Sequence, residues 1–295
     1  MAFLRNQFAL SERRACSILE QPRATQRYVV RRLDPPGLRS RLVELAQLRP
    51  LFGYPRLHML LRREGFAINR KRVYRLYRAE GLKLRSKRRK HGARAPRGPM
   101  AAPAQQLERW SLDFVSDRLG DGRTFRALTI VDDFSKLCPA IEVDTSLTGL
   151  RVIRALERAI ELHGKPKLLV MDNGPEFTCR ALDAWAYRVG IALHWIDPGK
   201  PVQNAYVESF NGRFRDECLD VHHFTTLDDA RGLIEQWRED YNHVRPHTSL
   251  GGLPPADFVA CLAGGMPPAR QQPCTPLPRP NLTTPDTGTR TQRVD

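Results

Sequence analysis

Residues 109–143 read RWSLDFVSDRLGDGRTFRALTIVDDFSKLCPAIEV. Three apolar runs in it, at 109–115, 124–134 and 137–143, are rich in β-branched and aromatic residues and separated by short polar breaks, the pattern of three consecutive strands. Joined so closely, they look antiparallel. Beyond them the texture alternates. A helix is expected at about 149–163, a strand in KLLVMD (167–172), a helix at about 177–189, a strand in IALHWI (191–196) and a last helix at roughly 227–243. Three antiparallel strands followed by this alternation predict an α/β fold, a mixed five-stranded sheet with helices on both faces.

The segment GKPVQNAYVESFNGRFRDECL (200–220) supplies one more helix. Val207, Phe210, Phe214 and Cys218 fall on one apolar face, and Asn204, Glu208, Asn211 and Arg215 run beside it as a polar stripe. A core-facing helix does not need that stripe, so the question is what Glu208 faces.

Composition suggests a partner. Net charge is +16 over 295 residues, and residues 1–98 hold 26 Lys and Arg against 6 Asp and Glu, leaving 22 against 26 in the remainder. So polarised a charge favours a polyanion, most simply nucleic acid, through phosphate neutralisation and counterion release; the plainer reading is a solvated basic surface. An anionic membrane fits less well, because no long amphipathic helix with a Trp/Phe face accompanies the charge. There is neither an 18-residue apolar run nor a signal-peptide core, so a cytoplasmic protein is expected. Cysteines at 16, 138, 179, 218, 261 and 274 show no C-x-x-C pair, which argues against a zinc site and a disulfide framework.

In the basic third, helices are expected at 11–33 and 38–49. The stretch GYPRLHMLLRREGFAINRKRVYRLYRAEGL (53–82) then reads as two short helices joined by about four residues, with helix-turn-helix dimensions. Pro55 suits a first turn, Leu57, Leu60 and Leu61 a buried stripe, Gly65 a C-terminal cap, and Asn69 the N-cap of a second helix with Val73, Leu76 and Tyr77 inward and Gly81 at its end. The exposed side of that helix carries Arg70, Lys71, Arg72, Arg75 and Arg78. Cations in a first helical turn oppose the helix dipole by roughly 0.3–1 kcal/mol each, so DNA explains them better than stability does; a generic charged face is the alternative. Residues 83–108 read as a basic flexible linker. The domains expected are therefore 1–82 (helical, DNA-binding), 83–108 (linker), 109–261 (catalytic α/β core) and 262–295, a tail with seven prolines read as disordered.

Enzymes that transfer phosphoryl groups on polynucleotides commonly hold two divalent ions about 3.5–4 Å apart, and Mg²⁺ prefers oxygen ligands. Solitary carboxylates among apolar residues are the candidates. Asp113 lies in the strand WSLDFV, on the face shared by Ser111 and Val115. Asp172 ends the apolar run KLLVM just before Asn173-Gly174, at a strand's carboxyl end, where sites gather in α/β sheets. Glu208 lies on the polar stripe. Each has an ordinary reading too: a strand-edge charge, the start of an Asn-Gly turn, and a surface charge pairing with an arginine. Asp132, Asp133 and Glu176 read as turn and surface charges rather than ligands.

With 35 residues between Asp172 and Glu208, Asp113, Asp172 and Glu208 resemble the D-D-35-E triad of retroviral-integrase-like transposases. The segments WSLDFV, VDDFSK, MDNGPEF, PVQNAYVESFNGRFRDECL and YNHVRPHTSLGGLPPADF, in that order, resemble more specifically the second-frame (OrfB) transposases of the insertion-sequence-three family, over about residues 11–258. The resemblance implies a ribonuclease-H-like core binding two Mg²⁺ or Mn²⁺ ions, with Asp113 bridging both and Asp172 and Glu208 each holding one. It implies cleavage at the element ends and transfer of the freed 3′-OH. It also implies a phosphate-holding role for Arg215 and DNA contacts from Gln203 and Asn204. The expected partners are terminal-repeat and target DNA, further copies of the chain in a synaptic complex, and an upstream-frame partner or fusion, since no zipper-length heptad run occurs here. The competing readings are a sequence-specific DNA-binding regulator, an inactive transposase remnant, and a nuclease of the same fold without strand transfer.

Overall fold

A computed structural model describes residues 2–28, 34–84, 101–197 and 204–264. Gln203, Cys274, most of the basic linker and all but the first residues of the Pro-rich tail lie outside the described residues. The chain divides into two compact units, one ending at Arg41 and the other beginning at Leu42. Among the described residues no helix is long and apolar enough to cross a membrane.

The first unit holds α1 (Ala2–Phe8), α2 (Glu12–Ile18) and α3 (Arg23–Gln26). The single helix expected at 11–33 is broken here. Glu20 adopts φ 51° and Pro22 precedes α3, and a proline there can start a helix but not carry one through. Ser11 caps α2 by accepting from the Arg14 amide at 3.3 Å.

Helix α4 spans Leu38–Leu48, as expected. The helix pair follows as α5 (Tyr54–Arg63) and α6 (Arg70–Ala79), with six residues between them rather than about four. Pro55 lies in the first turn of α5 and Leu57, Leu60 and Leu61 are buried. Asn69 caps α6, its Oδ1 accepting from the Lys71 amide at 2.8 Å. Gly65 and Gly81 end the two helices at φ 91° and 68°, values that a residue with a Cβ rarely adopts. Val73 and Tyr77 are buried, while Leu76 is half-buried.

This pair is anchored on the α/β core by arginines spaced seven residues apart. Arg49 forms a two-pronged ion pair with Asp240, Arg56 lies 3.5 Å from Glu217, and Arg63 donates to the carbonyls of Val244 and Gly252 at 2.8 and 2.7 Å.

The sheet has strand order β3-β2-β1-β4-β5. Strands β1 (Arg109–Arg118), β2 (Thr124–Asp132) and β3 (Ala140–Asp144) are antiparallel neighbours, and β4 (Leu168–Met171) and β5 (Ala192–Trp195) run parallel to β1. This is the mixed five-stranded, ribonuclease-H-like sheet expected. The third strand begins three residues late because the VDDFSK segment folds into a buried turn. Asp132 accepts there from the amides of Phe134 and Ser135 and from the Ser135 hydroxyl.

Alternation along the strands separates two cores. Trp110, Leu112, Leu128 and Ile130 pack on one face with α7 (Gly149–His163) and α8 (Arg180–Val189). Val115, Phe125, Ala127 and Val131 pack on the other with α9 (Ala205–Phe214) and α10 (Leu227–His243). Burying each large apolar side chain contributes about 1.5–3 kcal/mol, so both helical layers are strongly held. The apolar face expected for 200–220 is present, since Val207, Phe210, Phe214 and Cys218 are all buried. After Phe214 the helix widens into a π-turn over Arg215–Leu219, closed by the Asp220 amide on the Arg215 carbonyl at 2.8 Å. A final helix, α11 (Pro255–Leu262), was not expected.

Candidate active site

The parallel pairing of β1 with β4 brings the two aspartates together. Ser111 is opposite Val170 in that register. Asp113 and Asp172 each follow their partner by two residues, at neighbouring positions on strands about 4.8 Å apart. Asp113 is half-buried on the face that α9 covers, and Asp172 is half-buried at the end of β4. Glu208 is exposed, in the first turn of α9.

The polar stripe on α9 lies along β1. Asn204 is buried and its amide lies 3.4 Å from the Leu112 carbonyl. Asn211 donates to Asp113 Oδ2 at 2.8 Å, while its own oxygen accepts from the Thr129 hydroxyl at 2.9 Å. Arg215 donates to the Ser116 carbonyl at 3.0 Å and is otherwise exposed. The stripe is thus first a seam between helix and strand. The Asn204 amide nitrogen faces β1, and its Oδ1 is buried without a partner among the described residues.

The chain Thr129–Asn211–Asp113 was not anticipated. Asn211 was visible as a member of the stripe, three residues after Glu208. Thr129 gave no signal, being one polar residue inside a buried strand. Together they orient the Asp113 carboxylate, whose other oxygen accepts from the Phe114 amide at 2.8 Å. Burial raises the Asp113 pKa above the ordinary carboxylate value. The negative charges of Asp172 and Glu208 push the same way, and the bonds from Phe114 and Asn211 oppose them. Asp113 therefore lies close enough to feel the charges of both Asp172 and Glu208. Among the described residues, however, no three His, Cys, Asp or Glu side chains converge as a formed metal cluster.

Asp172 Oδ1 accepts from the Gly174 amide at 3.0 Å. A Cβ on Gly174 would stand 3.0 Å from that same oxygen, so a larger residue there would press the Asp172 carboxylate aside. Glu176 is paired with Arg126, which lies 4.1 Å over the Phe114 ring, and Phe114 stacks on Phe177 at 4.8 Å. Asp133 accepts from Arg109 and Ser111. These acids are committed to ion pairs and hydrogen bonds within the fold, Asp133 in a buried pair rather than at the surface.

On α6, Arg70, Lys71, Arg75 and Arg78 are exposed and Arg72 is half-buried. Arg70 lies over the Tyr54 ring at 5.4 Å.

Residues 103–201 and 189–255 match the Integrase core domain family, and residues 41–90 match the HTH-like domain family. The chain is 50% identical to the Insertion element IS407 uncharacterized 31.7 kDa protein of Burkholderia multivorans, over 88% of this chain and 94% of that one. The chain belongs to the insertion-sequence-three family of transposases, second-frame type. It is a DNA transposase, a DDE-type polynucleotidyl transferase. It is also 26% identical, over 81% of its length and 90% of the relative, to the Putative transposase InsK for insertion sequence element IS150 of Escherichia coli. A solved structure, the HTLV-2 integrase catalytic core domain in complex with magnesium, covers 52% of this chain and 97% of its own at 20% identity, with a TM-score of 0.41. The transposase family uses divalent metal ions, and the site offers oxygen donors alone.

Proposed function

We propose that this transposase cuts DNA at the ends of its insertion sequence and joins the freed 3′-OH to target DNA, with Asp113, Asp172 and Glu208 as the catalytic carboxylates. One observation carries the reading. The β1–β4 register sets Asp113 beside Asp172, and the Asn211–Asp113 bond fixes α9 across them one turn after Glu208.

The residues fit two Mg²⁺ or Mn²⁺ ions by their chemistry. Hard cations prefer carboxylate oxygens, and a cation relieves the like-charge crowding felt by Asp113. Bound ions would supply Lewis-acid charge to the attacking and leaving oxygens. The protein's own part is orientation. Asn211 and the Phe114 amide hold the Asp113 carboxylate, the Gly174 amide holds that of Asp172, and Glu208 stands exposed in the first turn of α9. Arg215, on the same flank, steadies a strand phosphate in this reading. No covalent enzyme intermediate is required, since positioning and charge stabilisation are the protein's contribution to in-line displacement.

Further from the carboxylates, Arg70, Lys71, Arg72, Arg75 and Arg78 bind DNA of the terminal inverted repeats, with Gln203 a further contact. Functionally, residues 1–82 serve recognition, 83–108 tether, 109–261 catalyse, and 262–295 are an appended tail. Two ends must be joined, so the working form is an oligomeric synaptic complex in the bacterial cytoplasm, assembled with an upstream-frame partner or fusion.

The test is a labelled duplex carrying the inverted repeat, incubated with Mg²⁺ and either the native protein or Asp172→Asn. Metal-dependent 3′-end joining that disappears in the variant supports the proposal. Cutting without joining points to a nuclease, and DNA binding with no products from either protein would sink the enzymatic reading.

A further inference from the structure

Helix α9 has a second polar flank. At about 100° per residue, Tyr206, Ser209 and Arg213 lie half a turn round from Glu208, Asn211 and Arg215. The apolar face separates the two flanks on one side. The far flank walls a cavity of about 290 Å³, whose lining also includes Lys136, His247 and Ser249. Among the described residues no acidic side chain lines it.

The cavity is built for negative charge. Lys136 adopts φ 62°, a left-handed conformation uncommon for a residue with a Cβ. Its Nζ donates to the Asp133 carbonyl and stands 3.9 Å from the centre of the Tyr206 ring. Arg213 is braced through Nη1, which donates to the Ser209 carbonyl and hydroxyl at 2.7 and 2.8 Å. His247 is buried, and its Nε2 has no hydrogen-bond partner among the described residues. A buried polar atom left so is costly unless a ligand or water meets it.

The nearby acids have cationic partners of their own. Asp133 is taken by Arg109, and Glu217 by Arg245 and Arg56. Positive charge is felt most at His247, which Arg245, Arg213 and Arg56 all face. Burial lowers the Lys136 pKa to about 8, with Asp133 and Asp132 resisting and Arg109 and Arg213 adding to the fall. Burial, then Arg245, Arg213 and Arg56, lowers that of His247 to about 3.

We propose that this cavity receives a backbone phosphate of DNA, on the flank of α9 opposite the catalytic carboxylates. The proposal rests on the transposase reading, which supplies the polyanion. Lys136 and Arg213 meet the phosphate oxygens, with the Ser209 and Ser249 hydroxyls beside them. The Tyr206 ring offers an apolar wall to the adjoining sugar. One strand is thereby held on the far side of the helix from the strand being cut or joined.

The full chain is tested by fluorescence anisotropy over a range of salt, with a labelled duplex of the element's inverted repeat and an unrelated duplex of equal length. Arg213→Gln and Lys136→Met should each weaken binding about tenfold and lower the slope of log affinity against log salt by about one. Ser249→Asp sets a negative charge at an exposed position of the lining and should weaken binding without disturbing the core. Lys136→Arg should keep the native slope. Thermal melting matched to the native protein separates these effects from misfolding. Loss on the inverted-repeat duplex alone assigns the pocket to the element end; loss on both assigns it to any DNA backbone, and either supports the proposal. Native affinity and slope in all three weakened variants, folded, overturn it. Joining that survives in Asp172→Asn would instead refute the catalytic reading and leave the phosphate measurement standing.

Discussion

Replacing Arg49 by alanine tests how the helix-turn-helix-like pair is tied to the integrase-like core. Arg49 and Asp240 are 191 positions apart, and their side chains are only 8% and 11% exposed. Arg49 Nη1 donates to Asp240 Oδ2 at 2.6 Å, and Nη2 donates to Oδ1. In a dry two-pronged pair the desolvation of each charge is offset by the other. Removing one partner leaves the other buried and unpaired, which costs about 3–5 kcal/mol. An exposed pair of the same geometry would contribute only about 0–1 kcal/mol. Because 1.4 kcal/mol is about a factor of ten, Arg49→Ala should lower the folded-to-unfolded ratio by roughly two to four orders of magnitude, with a drop in Tm of about 10 °C. Urea unfolding of Arg49→Ala, Asp240→Leu and the combination Arg49→Met with Asp240→Leu measures the coupling directly. The double apolar replacement should recover most of the loss, since no charge remains buried. A single-variant cost under about 1 kcal/mol would show that the pair is not dry and that this anchor does not hold the helices.

Three further outcomes follow from the site and its surroundings. Asn211→Leu keeps the helix face but frees the Asp113 carboxylate; strand joining should slow about tenfold, corresponding to about 1.4 kcal/mol, while DNA affinity stays native, and unchanged joining kinetics would refute the orienting role. Arg75→Ala, on the exposed face of α6, should lessen the salt slope of inverted-repeat binding by about one, and an unchanged slope would remove it from the interface. His247 has a folded pKa of about 3 against an unfolded value of about 6.5, so the unfolded chain binds the extra proton and stability falls as pH drops from about 6.5 towards 3; urea midpoints of His247→Gln should fall less steeply over that window than those of the native protein, and parallel curves would refute this.

The parts of the fold legible in the sequence were those set by local pattern. Strand alternation around Asp113 assigned Trp110, Leu112 and Phe114 to one face and Ser111 and Val115 to the other, and the two cores divide there. The caps at Asn69, Gly65 and Gly81 were readable for the same reason, because they depend on a few consecutive residues. Errors arose where a tertiary contact overrides local pattern. VDDFSK looked like a strand end, but the carboxylate of Asp132 gathers amides into a turn and delays β3. The tie between Asn211 and Asp113 spans 98 positions and the pair Arg49–Asp240 spans 191, and neither has a local signature. The burial of Asn204 likewise depends on the approach of β1, 92 positions away.

These observations bear on why α9 tolerates so many polar residues while remaining core-bound. Val207, Phe210 and Phe214 are buried against Phe125, Val131 and Trp237, and Phe210 meets Trp237 and Tyr241 edge-on at 5.5 and 4.8 Å. That aromatic cluster sets the rotation of the helix about its axis. A rotation of one residue, about 100°, would carry Glu208 away from the aspartates and bring apolar side chains to the sheet edge of the site. Once the rotation is fixed, the two remaining flanks are free to specialise. One flank faces the carboxylates and is stitched to β1 by Asn211 and Arg215. The other carries Tyr206, Ser209 and Arg213 to the positive cavity. The π-turn at Arg215–Leu219 then adds a residue to the helical turn. Arg215 still reaches Ser116 on the catalytic flank there, while Cys218 stays in the core. The same aromatic packing that stabilises the helix therefore also determines which polar residues face the carboxylates and which face the cavity.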